Sequence, residues 1–144
     1  MAYASELEHN SIETLIDPFN ETISVVQAKT ANGRYEGYNE LIGSSIFTVV
    51  RLYENGDAAY IDDEGLYKED QYFWMHRNYP SPLCGRGVFL GVDEHGDVIP
   101  PQTSLTQLNK DVVFIGSRYH LVLHIRKHGE IENEDYRPIF FTEV

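Results

Sequence analysis

Apolar and polar positions alternate most clearly over residues 46–62. There Ile46-Phe47-Thr48-Val49-Val50-Arg51-Leu52-Tyr53 meets Ala58-Ala59-Tyr60-Ile61 across Asn55-Gly56. β-Branched and aromatic residues fill both runs, and Asn-Gly supplies the positive φ of a type I′ turn, so the pattern predicts a β-hairpin. Residues 87–92 predict a second hairpin that turns at Glu94-His95-Gly96-Asp97 into Val98-Ile99 and stops at Pro100-Pro101. Upstream, 22–28 predicts a strand through Ile23 and Val25, and 38–42 a helical turn ended by Gly43. Ser5-Glu6-Leu7-Glu8 has the form of a capping box, and with Leu7, Ile12, Leu15 and Ile16 it predicts a short N-terminal helix ending before Asp17-Pro18.

Downstream, Thr103 or Ser104 caps a predicted short helix through Leu105, Leu108 and Lys110. Residues 112–115 read as a buried strand, 118–127 as another because apolar odd positions alternate with mostly polar even ones, and 138–142 as a last one. Six or seven short strands with two or three short helices give an α+β class, a small antiparallel, strand-rich sheet, and 144 residues without an internal repeat predict a single domain over 1–144.

Composition narrows the function classes. The formal charge is −12, which opposes a polyphosphate partner over most of the surface, so generic nucleic-acid binding is disfavoured. No basic-then-apolar leader opens the chain and no apolar run approaches the ~20 residues that span a bilayer, so the expected location is cytoplasmic, without a membrane partner. Cys84 is the single cysteine, which excludes an intrachain disulfide and fits a reducing compartment.

Candidate chemistry falls into four places. Between Glu54 and Asp70 seven acidic residues stand against Lys68, and Asp62-Asp63-Glu64-Gly65 forms an acidic turn; Leu66 at the fifth position breaks a calcium loop, leaving a surface for a basic partner or a solvated turn. Tyr72-Phe73-Trp74-Met75-His76-Arg77-Asn78-Tyr79 concentrates the residue types of interface hot spots, so Trp74, Arg77 and Tyr79 are the candidate partner contacts. Arg86 in Gly85-Arg86-Gly87 offers an anion turn beside Cys84, a nucleophile only if a histidine base lies within reach.

The fourth place is 118–128. On the strand reading Arg118, His120, Val122, His124, Arg126 and His128 share one face, and Tyr119, Leu121, Leu123 and Ile125 turn to the core. Residues four apart on a strand lie ~13 Å apart, too far to share one ion, so no metal is expected. The stripe either binds an anionic ligand or an acidic partner surface, or balances the chain's own acidic residues over 130–135.

The feature order over residues 23–115 resembles a family of small phage-encoded domains of unknown function. The resemblance rests on Tyr38-Asn39-Glu40-Leu41-Ile42-Gly43, on Ile61-Asp62-Asp63-Glu64-Gly65-Leu66, on the glycine-led run from Gly85 to Val92, and on Asp93-Glu94-His95-Gly96-Asp97 leading to Ser104-Leu105-Thr106. It implies no activity and no cofactor; it implies a phage or mobile-element protein, in the host cytoplasm, that binds and interferes with host machinery. The function expected is therefore a non-enzymatic binding protein that sequesters or inhibits a host protein, with Trp74, Arg77, Tyr79, Asp62, Asp63 and Glu64 as its surface. The alternative is a binder of a small anionic ligand or nucleotide through Arg86, Arg118, His120, His124 and Arg126. An enzyme comes third, and the sequence leaves the oligomeric state open.

Overall fold

Neighbouring apolar residues of single strands are divided between two cores in the computed structural model, which describes residues 10–31 and 33–132. In β1 (Asn10–Asp17), Leu15 packs with Tyr38, Tyr60, Val88 and Leu90, whereas Ile16 packs with Ala59, Ile61, Trp74 and Phe89. Successive side chains leave opposite faces of a strand, so the pair Leu15-Ile16 needs cover on both.

The large sheet supplies the middle of this arrangement. Its order is β2 (Thr22–Lys29), β1, β7 (Gly87–Val92), β4 (Ala58–Asp62), β3 (Phe47–Arg51), with β8 (Val98–Ile99) on the end of β7, and every pairing is antiparallel. β4 is buried throughout and β7 up to Val92, because both lie inside the sheet with cover on both faces. Helix α1 (Arg34–Ile42) covers one face with Tyr38 and Ile42, and ends where Gly43 (φ 79°) sends its N–H back to the Asn39 carbonyl.

A small sheet covers the other face. It is built from β5 (Tyr72–His76), β6 (Leu83–Cys84) and β9 (Val112–Ser117) in the order β6-β5-β9. Trp74 and Leu83 point into the sandwich, and Phe73 and Cys84 point out, beneath Leu121 and Ile125 of α3 (Arg118–Glu132). The short α2 (Leu105–Asp111), capped by Ser104 accepting from the Gln107 N–H at 3.1 Å, leads into β9. The layers are helix, sheet, sheet, helix, which is the expected antiparallel α+β class with the strands shared between two sheets. Among the described residues, no helix is long and apolar enough to cross a membrane.

Three expectations are corrected. Residues 10–17 form β1 instead of the end of a helix, because β2 and β7 pair with its two edges and its buried residues need opposite faces; Ser5 to Glu8 lie outside the described residues. The first hairpin forms over its expected strands, but its turn differs. Gly56 N–H bonds the Tyr53 carbonyl, Gly56 alone takes positive φ (101°), and Leu52 and Tyr53 both donate to the Asp57 carbonyl. Glu54-Asn55 are thus the central residues of a type I turn that glycine closes, in place of Asn-Gly in type I′.

The third correction matters most for function: residues 118–127 are helical, not a strand. Gly116 (φ 108°) is the last residue but one of β9, and His120 Nδ1 lies 3.3 Å from the backbone nitrogen of Ser117, the last, and 2.9 Å from its Oγ. That is the reciprocal geometry of a capping box, with histidine three residues on in place of glutamate. Leu121 and Ile125, one turn apart, are buried, while Tyr119 and Leu123, which alternation sends to the core, are 69% and 45% exposed. The predicted strand over 138–142 lies outside the described residues.

Candidate functional site

Helix α3 dissolves the basic stripe. At 3.6 residues per turn, Arg126 lies ~160° and Arg118 ~120° around the axis from His124, so the four cationic candidates do not share a face. His120 is spent on the helix start; the side chain of His128 lies outside the described residues. Arg86 is elsewhere, with Nε 3.3 Å from Asp17 Oδ1 and its guanidinium 4.6 Å above the Phe19 ring. Burial would raise the Asp17 carboxyl, but the Asn20 hydrogen bond and then the Arg86 charge hold it below its ordinary value. The anion turn at Arg86 is therefore a structural clamp on the β1–β2 turn.

The partner surface read from the aromatic segment also divides. Trp74 is fully buried and donates Nε1–H to the Gly85 carbonyl at 2.9 Å, so it is a core residue and leaves the partner surface. Asp62 is buried too, accepting the Glu64 N–H and pairing with Lys68, while Asp63 and Glu64 stay exposed. Asp57 leaves the acidic patch entirely: fully buried, it accepts the Gln102 and Thr103 N–H groups at 3.1 and 2.7 Å. A Cβ on Gly91 would come within 2.8 Å of that carboxylate, which is why glycine stands there. Cys84 is buried, its thiol pushed up to about 12 by burial and then by the Asp62 charge, opposite to what a thiolate nucleophile needs.

What the fold brings together is a cleft of about 470 Å³ where β5, α2, β9 and α3 meet. Arg77 and Tyr79 of the aromatic segment line it with His124 of α3, joined by Met75, Lys110 and Val113. Met75 and Val113 are cross-strand partners and lie on the face opposite Trp74, so they form an apolar floor that α3 leaves open; Val113 is 55% exposed. Arg77 and Lys110 stand exposed at its rim, and Lys110 makes no ion pair among the described residues.

A buried polar network supports the rim from within. Asp111 accepts the Tyr53 hydroxyl at 2.6 Å and the Gln107 amide at 3.0 and 3.2 Å, and its Oδ1 lies 3.7 Å from Arg77 Nη1. Burial alone would raise its carboxyl, but the hydrogen bonds from Tyr53 and then Gln107, with the attraction of a protonated His76 and of Arg77, hold it below the ordinary value. His76 stacks edge-on against Tyr53 at 4.8 Å, its Nδ1 accepts the Asn78 N–H at 3.1 Å, and burial holds its pKa below 6.5. The ring is therefore neutral with its proton on Nε2, an atom without a hydrogen-bond partner among the described residues.

Sequence reasoning missed Met75, Lys110, Asp111 and Val113, because no spacing signals a site assembled from β5, α2 and β9. A larger depression of about 760 Å³ lies at the first hairpin turn, but its cation Arg51 is tied to the carbonyls of Tyr53 and Glu54. Among the described residues no three metal-ligating side chains cluster. No protein-family model, no curated protein and no solved structure gives a significant match to the chain. The function rests on the geometry of the cleft.

Proposed function

We propose that the chain is a non-enzymatic binding protein that holds an acidic, partly apolar segment of a protein partner in the cleft over Met75 and Val113. The observation that carries this reading is the pairing of an exposed apolar floor with the two rim cations Arg77 and Lys110, in a chain whose formal charge is −12. An amphipathic segment gains from both: its apolar side chain covers Met75 and Val113, and its carboxylates meet charges that the rest of the surface opposes. The resemblance of residues 23–115 to phage-encoded domains supports the wider class, a phage or mobile-element protein that occupies a host protein in the cytoplasm. The volume also suits a small anionic molecule with an apolar part, which is the second reading.

The test compares capture from host lysate by the wild-type chain and by Arg77→Ala/Lys110→Ala, with mass spectrometry of what each retains. A protein held by the wild type and lost from the variant at unchanged melting temperature is the expected result. Equal retention of every partner by both chains removes the cleft from the function.

A further inference from the structure

We infer that the outer edge of β2 pairs with β2 of a second copy of this chain, joining two large sheets into one antiparallel sheet across a two-fold axis. β2 ends the large sheet, and among the described residues no strand pairs with its outer edge. An edge of eight residues presents a row of backbone donors and acceptors that another edge can satisfy, and natural edges are commonly blunted by charge, proline or a bulge. From Thr22 to Ala28 this edge carries no charged side chain and no proline, and its pairing with β1 runs without a bulge.

Two further features select a copy of the chain as the occupant. An antiparallel pairing centred on Val25 sets Val25 against Val25 and Ile23 against Gln27, and brings Lys29, the last residue of β2, to the end of the second copy's β2, where the turn residue Glu21 (φ 53°) precedes Thr22. The residues at the two ends of the edge thus meet with opposite charge in that register, which offsets part of the repulsion between two copies of formal charge −12. The apolar surface follows the same axis. Ile12 and Val25, 71% and 55% exposed, lie on the face of β1 and β2 that also carries Ile16 and Ile23, beyond the cover of the small sheet. In the dimer a row runs from Ile12 across Gln27 to Ile23 and Ile16 of the second copy, and its symmetric mate runs back, so each row sets one polar side chain among three isoleucines.

The other long edge, β3, has only five residues and no such terminal pair of opposite charges. This dimer is independent of the cleft, whose residues lie on β5, α2, β9 and α3.

The experiment measures the mass of the full chain by sedimentation over a range of concentrations, together with amide hydrogen exchange along 22–29. A dimer is expected, with protection of β2 amides that grows with concentration. Val25→Lys sets like charges against each other at the axis and is expected to weaken the dimer of order tenfold or more while the melting temperature of the monomer stays unchanged. Glu21→Lys alone weakens it, and Glu21→Lys/Lys29→Glu restores it, a rescue that a merely folding-related effect does not give. A monomer at all concentrations overturns the inference, including one whose β2 amides are protected independently of concentration by the chain's own residues. So does a dimer that ignores Val25→Lys and is lost on Val49→Lys in β3.

Discussion

At the scale of single residues, burial divides side chains that look alike in the sequence. Trp74 and Arg77 stand three apart in one aromatic segment, yet Trp74 fills the space between the sheets and Arg77 has 71% of its side chain exposed. Trp74→Ala is expected to cost ~3–5 kcal/mol and Arg77→Ala well under ~1 kcal/mol, measured by denaturant unfolding. Asp57 behaves as a core residue despite its charge, since two backbone N–H groups need its carboxylate; Asp57→Ala leaves both bare, at roughly 1–3 kcal/mol for each. His76 sets a pH dependence. Its folded pKa lies below the unfolded 6.5, so the unfolded chain takes up a proton that the folded chain refuses. Stability is full above pH 6.5 and falls as pH drops through the folded value; His76→Gln is less stable at neutral pH but lacks that slope. The Asp111 contribution is present above 3.8 and lost as pH falls through the lower folded value, and it is coupled to His76, since each group's charge acts on the other. Unfolding midpoints between pH 8 and 3 separate the two, and a wild type with no decline between pH 6.5 and 4.5 removes the buried neutral histidine.

At the scale of elements, the strands of the hairpins and the Ser104-capped helix are set by neighbours a few residues away and form where local chemistry puts them, although the first hairpin turns one residue earlier than Asn-Gly predicts. α3 is different. Its sequence satisfies period two over 118–127, but the surface it must cover, Phe73 and Cys84 on the small sheet, is wide enough for one helical stripe, which Leu121 and Ile125 fill. Ser117 and His120 were the legible local signal, a capping box written with histidine. The two readings separate by mutation. A helix makes Leu121→Ala and Ile125→Ala cost ~2–5 kcal/mol and leaves Leu123→Ala near ~0.5–1 kcal/mol, whereas a strand makes all three costly alike. A loss at Leu123 equal to that at Leu121 would contradict the helix. β1 repeats the lesson in reverse: a weak helical stripe gives way because both strand edges find partners.

At the scale of the whole molecule, the cleft exists because a small sheet lies across part of a larger one and α3 covers only part of the small sheet. Val113→Glu places a like charge on the apolar floor and, since Val113 is half exposed, is expected to abolish capture of an acidic segment while shifting the melting temperature by only a degree or two; retained capture beside a folded chain removes the floor from the site. The sequence by itself determined the α+β antiparallel class, the paired strands of both hairpins, the glycine that ends α1 and a start of α2 at Thr103 or Ser104, which the structure gives to Ser104. Each of these depends on turn chemistry, caps or short-range alternation, interactions that close within about ten residues. It also singled out Arg77, Tyr79 and His124, though for different surfaces. Only the tertiary structure decided that these three meet, that Trp74, Asp57 and Asp62 turn inward, and that Met75, Lys110, Asp111 and Val113 complete the cleft. Those facts depend on contacts such as Tyr53 with Asp111, 58 residues apart in the chain, which packing of the two sheets creates and no local pattern encodes.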